Sequence, residues 1–264
     1  MSLPIFHVNA FTDKPFRGNP AAVCPLTAWL DDHELQAVAA ENNLSETAYF
    51  VRESDHYRLR WFTPKCEVNL CGHATLASAF VLLTILEPES HGVRFATRSG
   101  ILAVQRDGGQ LSMDFPALPP WTCGKPPAEL KSGLGPSPSP VSVLQIKDNY
   151  FVVYESEEEV RQVAPNFAIL EALHPAGVAI TAPGTHADFV SRYFAPSYGI
   201  PEDPVTGSTH CSLMPYWSQR LGKASLHAQQ VSERGGELRC ELAGDRVILK
   251  GKAVLTLQGS LLIG

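Results

Sequence analysis

Leu70-Cys71-Gly72-His73-Ala74-Thr75-Leu76-Ala77-Ser78-Ala79-Phe80-Val81-Leu82-Leu83-Thr84-Ile85-Leu86 is the longest apolar stretch of the chain. Its seventeen residues are a little short for a bilayer span, and its start is polar, so it reads as a helix buried in a soluble core. A strand-like run leads into Gly72-His73-Ala74-Thr75. At a spacing of 135 residues, Gly207-Ser208-Thr209-His210 leads in the same way into Cys211-Ser212-Leu213-Met214. Two glycine-started helices half a chain apart predict a duplicated α/β unit, each copy with one helix plugged into a curled sheet. The alternative is coincidence between two such helices.

The surrounding sequence fits a strand-rich frame. Ile5 to Ala10, Ala21 to Cys24, Thr47 to Val51 and Tyr57 to Phe62 read as strands. Asp31 and Glu34 have capping-box spacing, Leu35, Val38 and Ala39 form an apolar stripe, and Asn42-Asn43 supplies a stop, which predicts a helix between. Arg94 to Thr97, Leu102 to Arg106 and Gln110 to Phe115 read as an antiparallel meander, with Asp107-Gly108-Gly109 as a hairpin turn. Pro116 to Pro140 holds eight prolines and three glycines, so it reads as a seam of linker and loop. Beyond it, strands are expected at Val141 to Gln145, Tyr150 to Tyr154, Val178 to Thr181 and Asp188 to Tyr193. A helix is expected around Asn166 to Leu173, and further strands at Leu238 to Leu242, Arg246 to Leu249 and Ala253 to Gln258.

At 264 residues, the chain is long enough for one large domain or two of about 130 residues. A hydrophobic fraction of 44% excludes global disorder, and a net charge of −6 argues against a nucleic-acid partner. Met1 to His7 shows no basic stretch followed by an apolar run, so no export signal and no membrane association are read there. The six scattered cysteines are then expected as reduced thiols in a cytoplasm.

A helix N-terminus presents unpaired N–H groups and the positive end of the peptide dipoles, which suits a small carboxylate without any basic side chain. Gly72 and Gly207 let a ligand approach the backbone closely, unless they serve only close helix packing. Glu46 sits at the lip of an apolar strand, where its charged form is disfavoured and acid/base work becomes possible; otherwise it is a surface carboxylate. His73 lies in the first turn of the buried helix and could relay protons, or be a hydrogen-bonded core histidine. Asp203, in Glu202-Asp203-Pro204-Val205-Thr206-Gly207, could act chemically or cap the second helix. Cys66, Cys71 and His73 have loose metal-like spacing, but no second cluster completes a ligand set, so no metal is expected. No phosphate-binding glycine loop or hydrolase elbow is present.

The ordered motifs Ala10-Phe11-Thr12-Asp13, Gly18-Asn19-Pro20-Ala21-Ala22-Val23, Ser45-Glu46-Thr47-Ala48, Glu67-Val68-Asn69-Leu70-Cys71-Gly72-His73-Ala74-Thr75, Glu202 to Ser208 with His210-Cys211, and Ser232 to Glu237 span nearly the whole chain. In these the chain resembles the PhzF-like (phenazine biosynthesis-like) family, related in fold to diaminopimelate epimerase. The resemblance implies an α+β fold of two similar lobes, each a mixed, mostly antiparallel sheet wrapped around a central helix, with the active site between them. It places the lobes at residues 1–116, completed by a C-terminal strand at about 255–264, and at residues 117–254. It also implies a homodimer and an isomerase that needs no cofactor. Glu46 matches the glutamate that moves a proton between carbons of a cyclic dihydro-hydroxyanthranilate. His73 and Asp203 match further catalytic positions, and Gly72, Gly207, Ser208 and Asn19 match substrate-binding ones. Asn69 departs from the Asp that many relatives carry before Leu-Cys-Gly-His. The epimerase cousins use two opposed thiols; Cys71 stands near one such place, whereas Cys211 lies a turn inside its helix, so a two-thiol racemase is disfavoured. The rivals to a glutamate-dependent isomerase are a Cys71-dependent epimerase and a non-catalytic metabolite-binding or scaffold protein.

Overall fold

The computed structural model describes residues 2–135 and 138–263. Met1, Pro136, Ser137 and Gly264, which belong to the N-terminal reading, the proline-rich seam and the expected last strand, lie outside them. The chain divides into two compact units: residues 1–115 with 248–264, and residues 116–247.

The first unit opens with β1 (Ser2–Ala10), β2 (Asn19–Leu26), α1 (Asp32–Asn42), β3 (Glu46–Glu53), β4 (His56–Phe62) and β5 (Glu67–Val68). Then come α2 (Gly72–Val81), a π-helical turn at Leu82–Leu86, and β6 (Gly92–Thr97), β7 (Gly100–Asp107) and β8 (Gln110–Pro116). β1 pairs antiparallel with β2, β2 parallel with β3, β3 antiparallel with β4, β4 parallel with β6, and β6 antiparallel with β7. The two parallel steps need crossovers, and α1 and α2 supply them.

α1 starts where Glu34 Oε2 accepts the Asp31 N–H at 3.4 Å and stops at Asn43, which is left-handed at φ 47°. Its Leu35, Val38 and Ala39 pack on Leu3, Ile5, Ala22, Cys24, Tyr49 and Val51. Strand side chains alternate, so the equally buried Phe6, Val8, Ala21, Val23, Ala48 and Phe50 point to the opposite face. There α2 lies against β1, β2 and β3. Apolar nearly all round, α2 buries every residue but Phe80, and a side chain such as Leu76 contributes about 1.5–3 kcal/mol by leaving water.

The second unit runs β9 (Trp121–Thr122), α3 (Ala128–Gly133), β10 (Ser142–Ile146), β11 (Asn149–Val153), α4 (Glu157–Gln162), α5 (Phe167–Leu170) and a 3-10 turn at Glu171–Leu173. It continues through β12 (Gly177–Pro183), β13 (Phe189–Ala195), β14 (Ile200–Asp203), α6 (Gly207–Leu221), β15 (Ser225–Gln230) and β16 (Gly236–Ala243). β10 pairs antiparallel with β11, β11 parallel with β12, β12 antiparallel with β13, β13 parallel with β15, and β15 antiparallel with β16. This is the same alternation as in the first unit. α4 and α5 occupy the place of α1, and α6 that of α2. α6 is sited by Gly222, left-handed at φ 65°, at its end and by Trp217, which stacks on Phe189 at 5.8 Å and donates its indole N–H to Thr181 Oγ1 at 3.0 Å.

The chain leaves the second unit along β17 (Arg246–Gly251) and ends with β18 (Ala253–Leu262), antiparallel to β1 from Ser2↔Leu262 to Ala10↔Ala253. The proline-rich seam contains two short elements, β9 and α3, that its composition hides. Among the described residues no helix is long and apolar enough to cross a membrane.

Candidate active site

Asn19 opens β2 and Glu46 opens β3; because these strands run parallel in the register Ala21↔Glu46, both residues sit at the same end of the sheet. Gly18 makes the turn into β2 at φ +67°, and a Cβ there would stand 2.2 Å from the Ala10 carbonyl oxygen, so only glycine fits. α2 brings its first turn to that end. His73 Nε2 stands 3.1 Å from Glu46 Oε2, Asn19 Nδ2 lies 3.0 Å from His73 Nδ1, and Cys71 Sγ lies 3.5 Å from the same nitrogen. Glu46 is 7% exposed and His73 3%, which removes the surface-carboxylate reading of Glu46. Asn19, expected to bind substrate, lies against the histidine.

Burial disfavours the His73 imidazolium, but the facing Cys71 and Glu46 outweigh it and hold the histidine well above its ordinary 6.5. Burial, then the Glu46 charge, pushes the Cys71 thiol up to about 11. Cys71 is therefore neutral near neutral pH, and its sulfur together with the Glu46 carboxylate sustains the charge on His73. The Glu46–His73 approach is close yet off the hydrogen-bonding axis, so Oε2 and Nε2 are buried without a well-aligned bond.

Among the described residues, Glu46, Cys71 and His73 also form a trio of potential metal ligands with donor atoms within 4.8 Å of one another. Their arrangement suits a proton better than an ion. Glu46 faces Nε2 and Cys71 faces Nδ1, and the lone pairs of these two ring nitrogens diverge, so an ion held by all three would require a side chain to turn. Cys66, from the metal-like spacing in the sequence, is exposed and bound to Thr63 at 3.7 Å.

The second unit carries its own polar group at the corresponding helix start. Asp203 closes β14, opposite Tyr193 of β13, and is buried. Thr206 Oγ1 donates to Asp203 Oδ2 at 2.5 Å. The N-cap of α6 is Thr206, so Asp203 does not cap the helix as its place in a proline turn suggested. Gly207 is buried at the helix start, and Ser208 is exposed. His210 is wholly buried, which pushes it down to about 4; as a neutral ring it donates from Nδ1 to the Thr206 carbonyl at 2.8 Å.

The profile of the family described as phenazine biosynthesis-like protein (PhzC-PhzF) matches residues 8–259. The chain belongs to the phenazine biosynthesis-like family. A member from Pseudomonas aeruginosa, named an uncharacterized isomerase, is 55% identical over 261 residues, 99% of each chain. The crystal structure of a PhzF family protein from Enterococcus faecalis matches with a TM-score of 0.94 at 44% identity, covering 100% of both chains. A hydroxyproline epimerase from Agrobacterium vitis matches at a TM-score of 0.61 and 11% identity, over 98% of this chain and 92% of its own, a likeness that speaks to the fold alone. The mixed α+β fold implied by the resemblance to PhzF-like proteins is the fold found.

Sequence reading passed over one residue of the polar group at the start of α6. Gln230 closes β15 and binds both Asp203 and Thr206. It stands two positions before the quoted Ser232 to Glu237 motif, but a lone glutamine in a strand carries no pattern that marks it.

Proposed function

We propose that this phenazine biosynthesis-like protein is an isomerase of a small carboxylate-containing metabolite, in which Glu46 removes a proton from one carbon and returns it to another without a cofactor. The observation that carries the reading is the buried Glu46–His73 contact of 3.1 Å at the N-terminus of α2. A carboxylate and an imidazolium that meet off axis can hold a proton between them and pass it to a third molecule with little rearrangement. His73, held charged by the facing Cys71 and Glu46, supplies fixed positive charge where an enolate-like intermediate would form, and the first N–H groups of α2 supply more. With Nδ1 protonated, the Asn19 carboxamide holds the far edge of the ring through its oxygen, with the donor Nδ2 turned away. Gly72 at the first helix start, and Asp203, Gly207 and Ser208 at the second, are proposed as further catalytic and substrate-binding residues. The names of the relatives as isomerases support the reaction class. A cytoplasmic homodimer is the setting proposed with it.

The test is proton exchange in D2O followed by 1H NMR over a panel of small carboxylates that includes a cyclic dihydro-hydroxyanthranilate. Deuterium should enter one carbon position with the wild type and not with Glu46→Gln. An unreduced rate in folded Glu46→Gln refutes the reading. The Cys71-dependent alternative needs a thiolate, and a thiol pushed up to about 11 supplies almost none near neutral pH.

A further inference from the structure

Gln230 is 1% exposed, and both ends of its carboxamide are engaged. Oε1 accepts the Thr206 backbone N–H at 2.8 Å. Nε2 donates to the Asp203 backbone carbonyl at 2.7 Å and to Thr206 Oγ1 at 3.2 Å. Only one orientation of the amide satisfies these contacts. Turned over, it would set donor against donor at the Thr206 N–H and acceptor against acceptor at the Asp203 carbonyl. With a lone pair taken by Gln230, the Thr206 hydroxyl sends its proton to Asp203 Oδ2 at 2.5 Å. The three groups therefore donate in one direction, from amide to hydroxyl to carboxyl, in a buried setting where such chains reinforce one another.

We propose that Gln230 is a positioning residue that fixes the direction of the Thr206 hydroxyl and through it orients the Asp203 carboxyl at the start of α6. The assignment rests on the reading of Asp203 as a site residue, but its test needs no substrate. A glutamate at this position could still accept the Thr206 N–H. It would, however, put an acceptor where Nε2 now donates, and the hydroxyl would turn away from Asp203. The titratable neighbour facing Asp203 from β13 is Tyr193, which donates to Asn149 Oδ1 at 2.7 Å and is raised by burial and then by the Asp203 charge. Beside it, Arg192 and Glu202 neutralise each other at 2.8 Å.

The experiment follows the Asp203 carboxyl by 13C NMR in protein labelled at aspartate, assigned with Asp203→Asn and titrated with pH. Gln230→Met should raise the Asp203 midpoint by a resolvable fraction of the roughly one pH unit carried by a whole hydrogen bond to a charged group, because the Thr206 hydroxyl is freed rather than removed. Gln230→Glu should raise it further. Asp188, held in the same unit by Lys223 at 2.6 Å, should not move in either variant. With Thr206→Val already in place, adding Gln230→Met should shift nothing more. An unchanged Asp203 midpoint in a folded Gln230 variant overturns the proposal. So does a Gln230→Met effect that survives Thr206→Val, since Gln230 would then act without the hydroxyl. If the methionine variant does not fold, Gln230→Glu, which keeps the acceptor for the Thr206 N–H, decides by the first criterion. Failure of the Glu46 reading would appear in deuterium exchange and leave this titration as it is.

Discussion

Glu46→Gln removes a negative charge 3.1 Å from His73 Nε2 while keeping the size of the side chain. In the wild type, burial pulls His73 down, and Cys71 and Glu46 pull it up, to a net value well above 6.5. Without the Glu46 charge one of the two upward influences is lost while that of Cys71 remains, so the His73 midpoint falls below its wild-type position. At an effective dielectric of about 20, charges this close attract by about 5 kcal/mol, and breaking a buried pair costs about 3–5 kcal/mol. The imidazole can shed its proton in the variant, so the expected loss is smaller, about 2–3 kcal/mol at pH 6. The sign follows from a folded value raised above the unfolded one. The contribution of His73 is complete below 6.5 and is lost as pH rises through the folded midpoint, so the gap between wild type and variant narrows in alkali. Long-range 15N–1H NMR of the histidine rings gives the midpoint, and urea unfolding between pH 6 and 9 gives the gap. A His73 midpoint that stays or rises in Glu46→Gln, or a gap that widens with pH, refutes this account.

Three further outcomes are expected. Gly18→Ala should cost about 2–4 kcal/mol in urea unfolding, because the new methyl meets the Ala10 carbonyl at 2.2 Å in a left-handed backbone; a loss below 1 kcal/mol would contradict the geometry. Trp217→Ala should cost about 3–5 kcal/mol by emptying the stack on Phe189 and orphaning the Thr181 contact, again read by urea unfolding. Iodoacetamide at pH 7.5, followed by peptide mass spectrometry, should label exposed Cys66 quickly and leave buried Cys71 unmodified; fast labelling of Cys71 would show a thiolate that its surroundings forbid.

The repeat was legible in the sequence because its mark is local. A glycine, a polar turn and an apolar run stand next to one another at both Gly72 and Gly207, and each opens the central helix of its unit. α1 was legible for the same reason, through its cap residues and stripe. α4 was not, because Glu157-Glu158-Glu159 shows no apolar periodicity and one residue, Val160, anchors the helix. Glu46 and His73 could each be singled out, but not their contact, which joins β3 to a helix start through tertiary packing. Asn19 makes the limit plainest. It lies 54 residues from His73 in sequence, and only the parallel register of β2 and β3 carries it to the imidazole. Gln230 closes a strand, Ser225–Gln230, whose inward residues are Leu226, Ala228 and Gln230 itself, too mixed a set to announce a buried face.

The pairing of β18 with β1 bears on how the molecule is made. Thr256 donates to the His7 carbonyl across 249 residues, so the opening strand leaves the ribosome long before its neighbour exists. The segment 116–247 is uninterrupted and can complete itself during translation, while the earlier-made segment waits with Leu3 and Ile5 short of a covering strand. Contacts of such long range form slowly, and nascent chains stalled before residue 253 should be the form most in need of a chaperone.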